Sequence, residues 1–85
     1  MAMKGWFVYI LQSLKNGRFY IGSTDNPERR LVEHNRGKTK STRLLTPFEL
    51  KYKERYNTRI EARRRELYLK QLKSRKYLKK LIEGN

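Results

Sequence analysis

The sequence contains no cysteine and only one histidine among its 85 residues. The absence of cysteine excludes disulfides and thiolate zinc sites, and a single histidine excludes a metal site built from several imidazoles. Long hydrophobic runs are missing as well. The apolar segment over residues 6–11 is too short to span a bilayer, and no small-residue cleavage site follows a proper signal-peptide core. By elimination, we expect a soluble cytoplasmic protein.

Acidic residues are also scarce. Eight Asp and Glu stand against twenty-two Lys and Arg, which gives a formal net charge of +14. Because this charge opposes compaction, we expect a polyanionic partner, and nucleic acid is the first candidate. An anionic membrane surface is the second, disfavoured because the basic helix predicted below has no clean apolar face. A basic surface that is merely solvated is the third.

The strand patterns predict a small antiparallel sheet within one domain over residues 1–85. Residues 6–11 are apolar and aromatic or β-branched, which is typical of a central strand covered on both faces. Asn16-Gly17 predicts a two-residue hairpin turn, after which residues 19–23 return as the second strand. Aromatic and charged residues alternate over residues 48–56, which predicts a half-buried third strand.

Three helices complete the predicted order β-β-α-β-α-α, an α+β fold with a three-stranded antiparallel sheet. Asp25 and Glu28 form a capping box for the first helix, which we expect to end near Asn35. Residues 38–45 are polar and basic without periodicity and predict a loop.

The last two helices also begin at capping signals. Thr58 and Glu61 form a second capping box, opening a helix that runs to about Leu72. We expect this helix to lie sandwiched between the sheet and the last helix, because apolar residues occur on nearly opposite sides of it. Ser74 can cap the last helix, which ends at Gly84.

Two tyrosines are predicted to share one face of the sheet. With Asn16-Gly17 as the turn, Leu11 lies opposite Gly22, and Tyr9 and Tyr20 share a face with them. In this register the tyrosines are on the order of 13 Å apart, and a longer loop of the same parity would bring them closer. A glycine inside a strand often marks the approach of another backbone or a ligand. Two core aromatics with hydroxyls at the edge are the alternative.

Arg30 and His34 are four residues apart on the first helix and therefore share a face. Arginine offers a forked donor for phosphate, and histidine can move a proton near neutral pH. The pair therefore suits an anionic site. A solvated helix face is the alternative, since Glu33 could pair with Arg29.

Glu66 lies in a helical column with Ala62 and Leu69, which is an apolar column rather than a basic one. A carboxylate there could reach the sheet and hold a hard divalent cation, because Mg²⁺ is commonly bound through one or two carboxylates plus substrate phosphates. A surface pair between Glu66 and Lys70 is the alternative.

These residues together carry a family resemblance. They occur as Tyr-x10-Tyr-Ile-Gly-x7-Arg-x3-His, followed by a glutamate on a later helix. The pattern resembles the GIY-YIG nuclease superfamily in its small single-domain form, similar to the N-terminal nuclease domain found in excinuclease ABC, and it covers nearly the whole chain. Phe7-Val8-Tyr9 stands at the first motif, with its glycine and isoleucine replaced. No equivalent of the asparagine that often follows the family's glutamate helix occurs in residues 73–75.

The resemblance implies a metal-dependent endonuclease that hydrolyses phosphodiester bonds in DNA, with a link to repair or recombination. Glu66 would hold one Mg²⁺ or Mn²⁺, and Arg30 would neutralise phosphate oxygens. Tyr9, its pKa lowered by Arg30 or nearby lysines, would take a proton from the attacking water. Tyr20 and His34 would position that water or relay the proton, and the division of the base role among the three stays open.

Further contacts to nucleic acid are expected around this site. Gly22 would let the phosphate backbone approach the sheet. Flanking phosphates would be bound, without sequence specificity, by Lys38, Lys40, Thr42 and Arg43. The alternative for these four is a mobile solvated loop.

Two other functions stay open at this point: a DNA- or RNA-binding module without activity, and a basic accessory protein of a ribonucleoprotein particle. No element is shaped to read a major groove, so we expect specificity for nucleic-acid shape. We expect a monomer or weak dimer, and whether a protein partner supplies targeting is left open.

Overall fold

The central strand of the sheet is the apolar segment near the N-terminus, as predicted. The computed structural model describes residues 5–84, and its three strands form one antiparallel sheet in the order β2-β1-β3. The order β-β-α-β-α-α and the α+β class are confirmed. The elements are β1 Trp6–Ser13, β2 Phe19–Thr24, α1 Pro27–Asn35, β3 Phe48–Tyr56, α2 Arg59–Leu72 and α3 Arg75–Glu83, with a short 3-10 helix at Arg43–Leu45 inside the predicted loop.

The two faces of β1 are buried by different helices. Val8 and Ile10 pack on one face with Ala62 and Leu69 of α2 and Leu78 of α3. Removing such side chains from water is the main force that holds α2 and α3 against the sheet.

The opposite face of β1 is covered by α1. Tyr9 and Leu11 are fully buried there with Phe48 of β3, and Leu31 of α1 packs against them. Consecutive side chains of β1 therefore enter two separate apolar layers, which explains why the strand is apolar throughout rather than alternating.

The loop of the β1–β2 hairpin is longer than the predicted two-residue turn. Tyr9 lies opposite Gly22 and Leu11 opposite Tyr20, a register two residues away from the predicted one. Because the shift is even, each side chain keeps its predicted face. The predicted pairing of Leu11 with Gly22 is wrong, and Tyr9 and Tyr20 come closer together.

The Ser13 hydroxyl explains the wider loop. It accepts hydrogen bonds from the backbone N–H groups of Lys15 and Asn16, at 3.1 and 3.3 Å. The N–H of Gly17 donates to the Ser13 carbonyl, with Gly17 at a φ of 77°. A side chain that binds neighbouring backbone amides offers the chain an alternative to the tight turn.

The cap of α1 is Asn26 rather than Asp25, so the predicted capping box is wrong. The Asn26 side chain accepts from the N–H of Arg29 at 3.1 Å, while Asp25 forms an ion pair with the Arg29 guanidinium at 2.7 Å. The reason is Pro27, the first helical residue, whose fixed φ suits that position and places the cap one residue before it. Glu28 forms an ion pair with β3 instead of closing a box.

A bulge divides β3 between the two layers. Ile10 pairs with Tyr52, but Leu11 pairs with Leu50, so Lys51 is the additional residue. As a result, the start of β3 packs with the α1 layer and the remainder with the α2 layer. The predicted half-buried strand is confirmed, but its buried residues do not form a single face.

The caps predicted for the last two helices are confirmed. The side chains of Thr58 and Ser74 accept from the third residue beyond each of them. The predicted sandwich is wrong, however, because Ile60 and Leu67 of α2 are 65% and 42% exposed. Helix α3 contacts β3, and its Leu78 joins the same core as Leu69 of α2. None of the helices within residues 5–84 is long and apolar enough to cross a membrane.

Candidate active site

A polar cleft lies beside β2, where side chains from both faces of the sheet meet. Because β2 is an edge strand, α1 on one face and α2 on the other can both reach around it. The cleft has a volume of about 420 Å³ and includes Tyr9, Tyr20, Gly22, Arg30 and Glu66. Its other lining residues are Trp6, Ser23, Arg59 and Arg63. The structure thus brings four of the five predicted catalytic side chains to one cleft, and the fifth lies behind Tyr9.

Tyr9 and Tyr20 form the aromatic side of this cleft. Their ring centroids are 6.5 Å apart, and the ring planes are inclined to each other by 27°. A Cβ atom at Gly22 would collide with the hydroxyl end of the Tyr9 ring. The absence of a side chain at Gly22 therefore makes room for Tyr9. Tyr9 occupies the gap that we expected beside Gly22, but Gly22 does line the cleft, and its predicted contact with a phosphate backbone stays a prediction.

His34 is fully buried between Tyr9 and the loop that follows α1. Its Nε2 lies 3.4 Å from the Tyr9 hydroxyl, and its Nδ1 lies 2.8 Å from the Thr42 hydroxyl. Burial, together with the positive charge of Arg30, lowers the pKa of His34 below 6.5. The imidazole is therefore neutral at pH 7 and able to accept a proton.

Thr42 has a different role from the one predicted for it. It is 2% exposed, and its hydroxyl lies against His34, so the predicted grip on a flanking phosphate is wrong for this residue. Lys38, Lys40 and Arg43 are exposed beside it and do not line the cleft. Their predicted phosphate contacts stay predictions.

The protonation state of Tyr9 also differs from expectation. Burial raises the pKa of Tyr9 above its ordinary value of 10.0, and it outweighs the hydrogen bond and the positive charge of Arg30, which lower this pKa. The predicted lowering of this pKa is wrong, and the free protein holds Tyr9 as a neutral phenol.

Arg30 faces the cleft from α1 and is held by Glu33. Its Nη1 donates to the Glu33 carboxylate at 2.8 Å, whereas Arg29 reaches the same carboxylate only at 3.9 Å. The alternative in which Glu33 pairs mainly with Arg29 is therefore not the arrangement observed. The Arg30 side chain is 32% exposed, so part of the guanidinium remains available to an anion.

Glu66 is 3% exposed and reaches the cleft from α2, in the buried column with Ala62 and Leu69. The Ser23 hydroxyl and the Lys70 ammonium each donate to its carboxylate at 2.6 Å. Burial by itself raises the pKa of Glu66, but the hydrogen bonds from Lys70 and Ser23 outweigh it and hold the pKa below 4.5. Glu66 therefore is an ionised carboxylate that reaches the cleft, and it also forms the ion pair with Lys70 that was the alternative prediction.

Sequence reasoning missed two contacts of Glu66. Ser23 directly follows the Tyr-Ile-Gly motif, and Arg63 precedes Glu66 by one helical turn and lies 3.1 Å from both carboxylate oxygens. Helical spacing could have revealed Arg63, but Ser23 depends on how α2 packs against β2. Within residues 5–84 no three acidic or histidine side chains converge into a group that could hold a metal ion. Among the residues that line the cleft, Glu66 is the one carboxylate.

Comparison with known proteins identifies relatives of similar length. The chain is 42% identical over 84 residues to a UPF0213 protein of Bacillus licheniformis, covering 98% of this chain and 84% of that protein. It is 35% identical over 79 residues to a UPF0213 protein of Staphylococcus saprophyticus, covering 92% and 95%. The solution NMR structure of a UPF0213 protein from Bacillus halodurans matches with a TM-score of 0.58 and 35% identity, covering 95% of this chain and 85% of that one.

A family model covers most of the chain. The model described as the GIY-YIG catalytic domain matches residues 5–79, which include every residue of the cleft. GIY-YIG domains form a nuclease family whose members generally depend on a divalent metal. The resemblance inferred from the motif spacing is confirmed, and the chain belongs to the GIY-YIG family.

Proposed function

We propose that this protein is a metal-dependent endonuclease that hydrolyses phosphodiester bonds in DNA. The observation that carries the proposal is the convergence of two tyrosines, an arginine and a carboxylate on one cleft, with a neutral histidine behind one tyrosine. Such a set contains a donor for phosphate, a route for a proton and an oxygen ligand for a cation. Branched or damaged DNA, as met in repair and recombination, is the expected substrate.

The charge around the cleft suits a phosphodiester. Arg30, Arg59 and Arg63 line it, while Glu66 is its one carboxylate. Hydrolysis adds negative charge to a group that is already an anion, so cationic donors stabilise the transition state more than the ground state. Arg30 would bind the non-bridging oxygens, and exposed Lys38, Lys40 and Arg43 would hold flanking phosphates.

The base role belongs to Tyr9 and His34 together. Since Tyr9 is a neutral phenol, it would pass its own proton to Nε2 of His34 as its oxygen takes a proton from the attacking water. The water oxygen then bonds to phosphorus, the bond to the leaving oxygen breaks, and that oxygen takes a proton from solvent. Thr42, at Nδ1 of His34, would fix the orientation of the imidazole during the transfer.

Glu66 fits a divalent cation by the chemistry of its donor. A single protein carboxylate suits Mg²⁺, which otherwise keeps water molecules and takes substrate phosphate oxygens. When bound there, Mg²⁺ or Mn²⁺ would act as a Lewis acid on the leaving oxygen. Ser23 would orient the carboxylate, and the ammonium of Lys70 would have to move aside.

A binding module without activity is the second candidate. The observation in its favour is that Lys70 and Arg63 already neutralise Glu66. A protein of that kind would bind nucleic acid tightly at low salt and leave every substrate intact.

The test is incubation of the purified protein with supercoiled, branched and single-stranded DNA, with and without Mg²⁺ or Mn²⁺. We expect metal-dependent nicking that falls at least about 100-fold in Tyr9→Phe and in Glu66→Ala, because each removes one element of the chemistry. Tyr68→Phe, on the exposed side of α2, is the matched control and should retain activity. Nicking that both cleft variants keep would indicate contamination and refute the proposal. Salt-sensitive binding without nicking would favour the binding module.

A further inference from the structure

A second groove continues along the seam between β2 and α2, away from the cleft. It has a volume of about 560 Å³ and lies between residues 18–21 and the junction of α2 with α3. We call it the β2 groove. Tyr20 lines both the β2 groove and the cleft, and Lys70 lines the groove while donating to Glu66. A polymer bound across the cleft could therefore continue into the groove without a break.

The polar lining of the β2 groove carries charge of one sign. Four cations contribute to it, Arg18, Lys70, Lys73 and Arg75, and none of its lining residues is acidic. Of the four, Lys70 is paired with Glu66, whereas no carboxylate within residues 5–84 forms an ion pair with the other three. The groove is thus complementary to an anion.

The floor of the groove is apolar, which a phosphate alone would not require. Ile21 of β2, Leu69 of α2 and Leu78 of α3 are buried beneath it. An occupant that carries both a flat apolar face and a negative charge matches this combination better than an inorganic anion does.

Arg75 and Phe19 form a stacked pair in the groove. The guanidinium carbon of Arg75 lies 4.5 Å from the centroid of the Phe19 ring. The ring supports the guanidinium by a cation–π contact and so restricts the motion of an exposed arginine. Unpaired nucleobases stack on guanidinium planes and aromatic rings, and such stacking tolerates any base.

We propose that the β2 groove is a subsite for an unpaired nucleotide next to the phosphate that enters the cleft. Its base would stack on Arg75, and Arg18 and Lys73 would hold the adjacent phosphates. The inference rests on the proposed function only in that the occupant is the nucleic acid that enters the cleft.

The test is a binding measurement in metal-free buffer with EDTA, so it does not depend on cleavage. Fluorescence anisotropy would follow a labelled single strand of about 12 nucleotides and a set of the same strands with one abasic site at successive positions. We expect an abasic site at one position to weaken binding about tenfold, and Arg75→Ala to weaken binding of the intact strand by the same factor. The affinity of Arg75→Ala should then be the same for the intact strand and for the strand with that abasic site.

Two further variants separate stacking from charge. Arg75→Lys keeps the charge but not the plane, so it should also lose the response to the abasic site while keeping the salt dependence of binding. Arg64→Ala removes an exposed arginine of α2 that does not line the groove, and it should bind like the unmodified protein and keep its response.

Three results would overturn the inference. The first is an abasic series without a sensitive position. The second is Arg75→Ala binding the intact strand as tightly as Arg64→Ala does. The third is an Arg75→Ala variant that loses as much affinity for a poly-glutamate peptide as for the single strand, which would mean that the groove takes any anion. If the unmodified protein nicks DNA while one of these is found, the groove alone is wrongly assigned. If it nicks nothing while the predicted binding pattern is found, the subsite stands and the proposed function fails.

Discussion

Lys70 and a divalent cation would compete for the same carboxylate of Glu66. The ammonium of Lys70 lies 2.6 Å from one carboxylate oxygen, and Arg63 lies 3.1 Å from both. The Lys70 side chain is 45% exposed and that of Glu66 only 4%, so solvent screens this ion pair only at the Lys70 end. Lys70 can turn towards solvent when a cation takes its place at Glu66, but until it does, it weakens the attraction between Glu66 and a metal ion.

Lys70→Gln should therefore bind Mn²⁺ more tightly than the unmodified protein does. We expect a dissociation constant at least about two- to fivefold lower, which is the range for an exposed ion pair, because one end of this pair is buried. Isothermal titration of the protein without nucleic acid measures it. Lys79→Gln, an exposed lysine of α3, is the matched control, and Glu66→Ala should bind no metal at this site. Unchanged or weaker binding in Lys70→Gln would place the metal away from Glu66.

Helical spacing was sufficient to place Arg30 and His34 on one face, because residues four apart are neighbours on any helix. It could not show that His34 is fully buried, since that depends on the loop after α1 folding back to put Thr42 against it. The pKa of Tyr9 was predicted with the wrong sign for the same reason. Burial by distant segments outweighs the one charge that the sequence placed nearby.

At the scale of elements, a hydrogen-bonded cluster fastens α2 to β3 and so positions Glu66. The carboxylate of Glu54 accepts from the hydroxyls of Tyr52 and Tyr56 at 2.5 and 2.8 Å, and from Arg65 of α2 at 2.7 Å. Burial alone raises the pKa of Glu54, but these three donors outweigh it, and the pKa falls below 4.5. The side chain is 19% exposed, so solvent screens these bonds only in part.

Glu54→Gln should destabilise the fold by about 2 kcal/mol at pH 7, because the charge that binds Arg65 and the two phenols is lost. The depressed pKa means that this contribution is complete above 4.5 and is lost as the pH falls through the lower folded value. Urea denaturation at several pH values should therefore show a difference from the unmodified protein that shrinks below pH 4.5.

The matched control for Glu54→Gln is Glu49→Gln on the same strand. Glu49 is exposed and meets Lys51 only at 3.6 Å, so this substitution should change stability little at any pH. A loss of stability in Glu54→Gln that stays constant down to pH 3 would show that the charge of Glu54 does not stabilise the cluster.

The elements differ in how far local sequence determines them. The caps of α2 and α3 were predictable, since Thr58 and Ser74 act on amides three residues away. The hairpin register and the bulge at Lys51 were not. The hairpin register depends on the Ser13 hydroxyl, which binds backbone amides that a tight turn would use. The bulge depends on the packing of the two halves of β3 in different apolar layers.

For the whole molecule, the net charge is +14, and the described residues form a body of 32 × 30 × 21 Å. The Debye length is about 30 Å at 0.01 M salt and about 8 Å at 0.15 M. At the lower ionic strength every cation therefore repels nearly every other, whereas at the higher one only neighbours interact. A polyanion such as the proposed substrate would relieve the same repulsion when it binds.

The melting temperature should therefore rise with salt in the absence of any ligand. Between about 0.01 and 0.15 M NaCl we expect an increase of about 4–8 °C, which corresponds to about 1 kcal/mol for a domain of this size. Scanning calorimetry or circular dichroism would measure it.

A double variant, Lys76→Glu with Lys79→Glu, changes two exposed residues of α3 and lowers the net charge by two for each change. Its melting temperature should rise less with salt, because less repulsion remains to be screened. If both proteins respond equally, or neither responds, then self-repulsion does not limit the stability of the free protein.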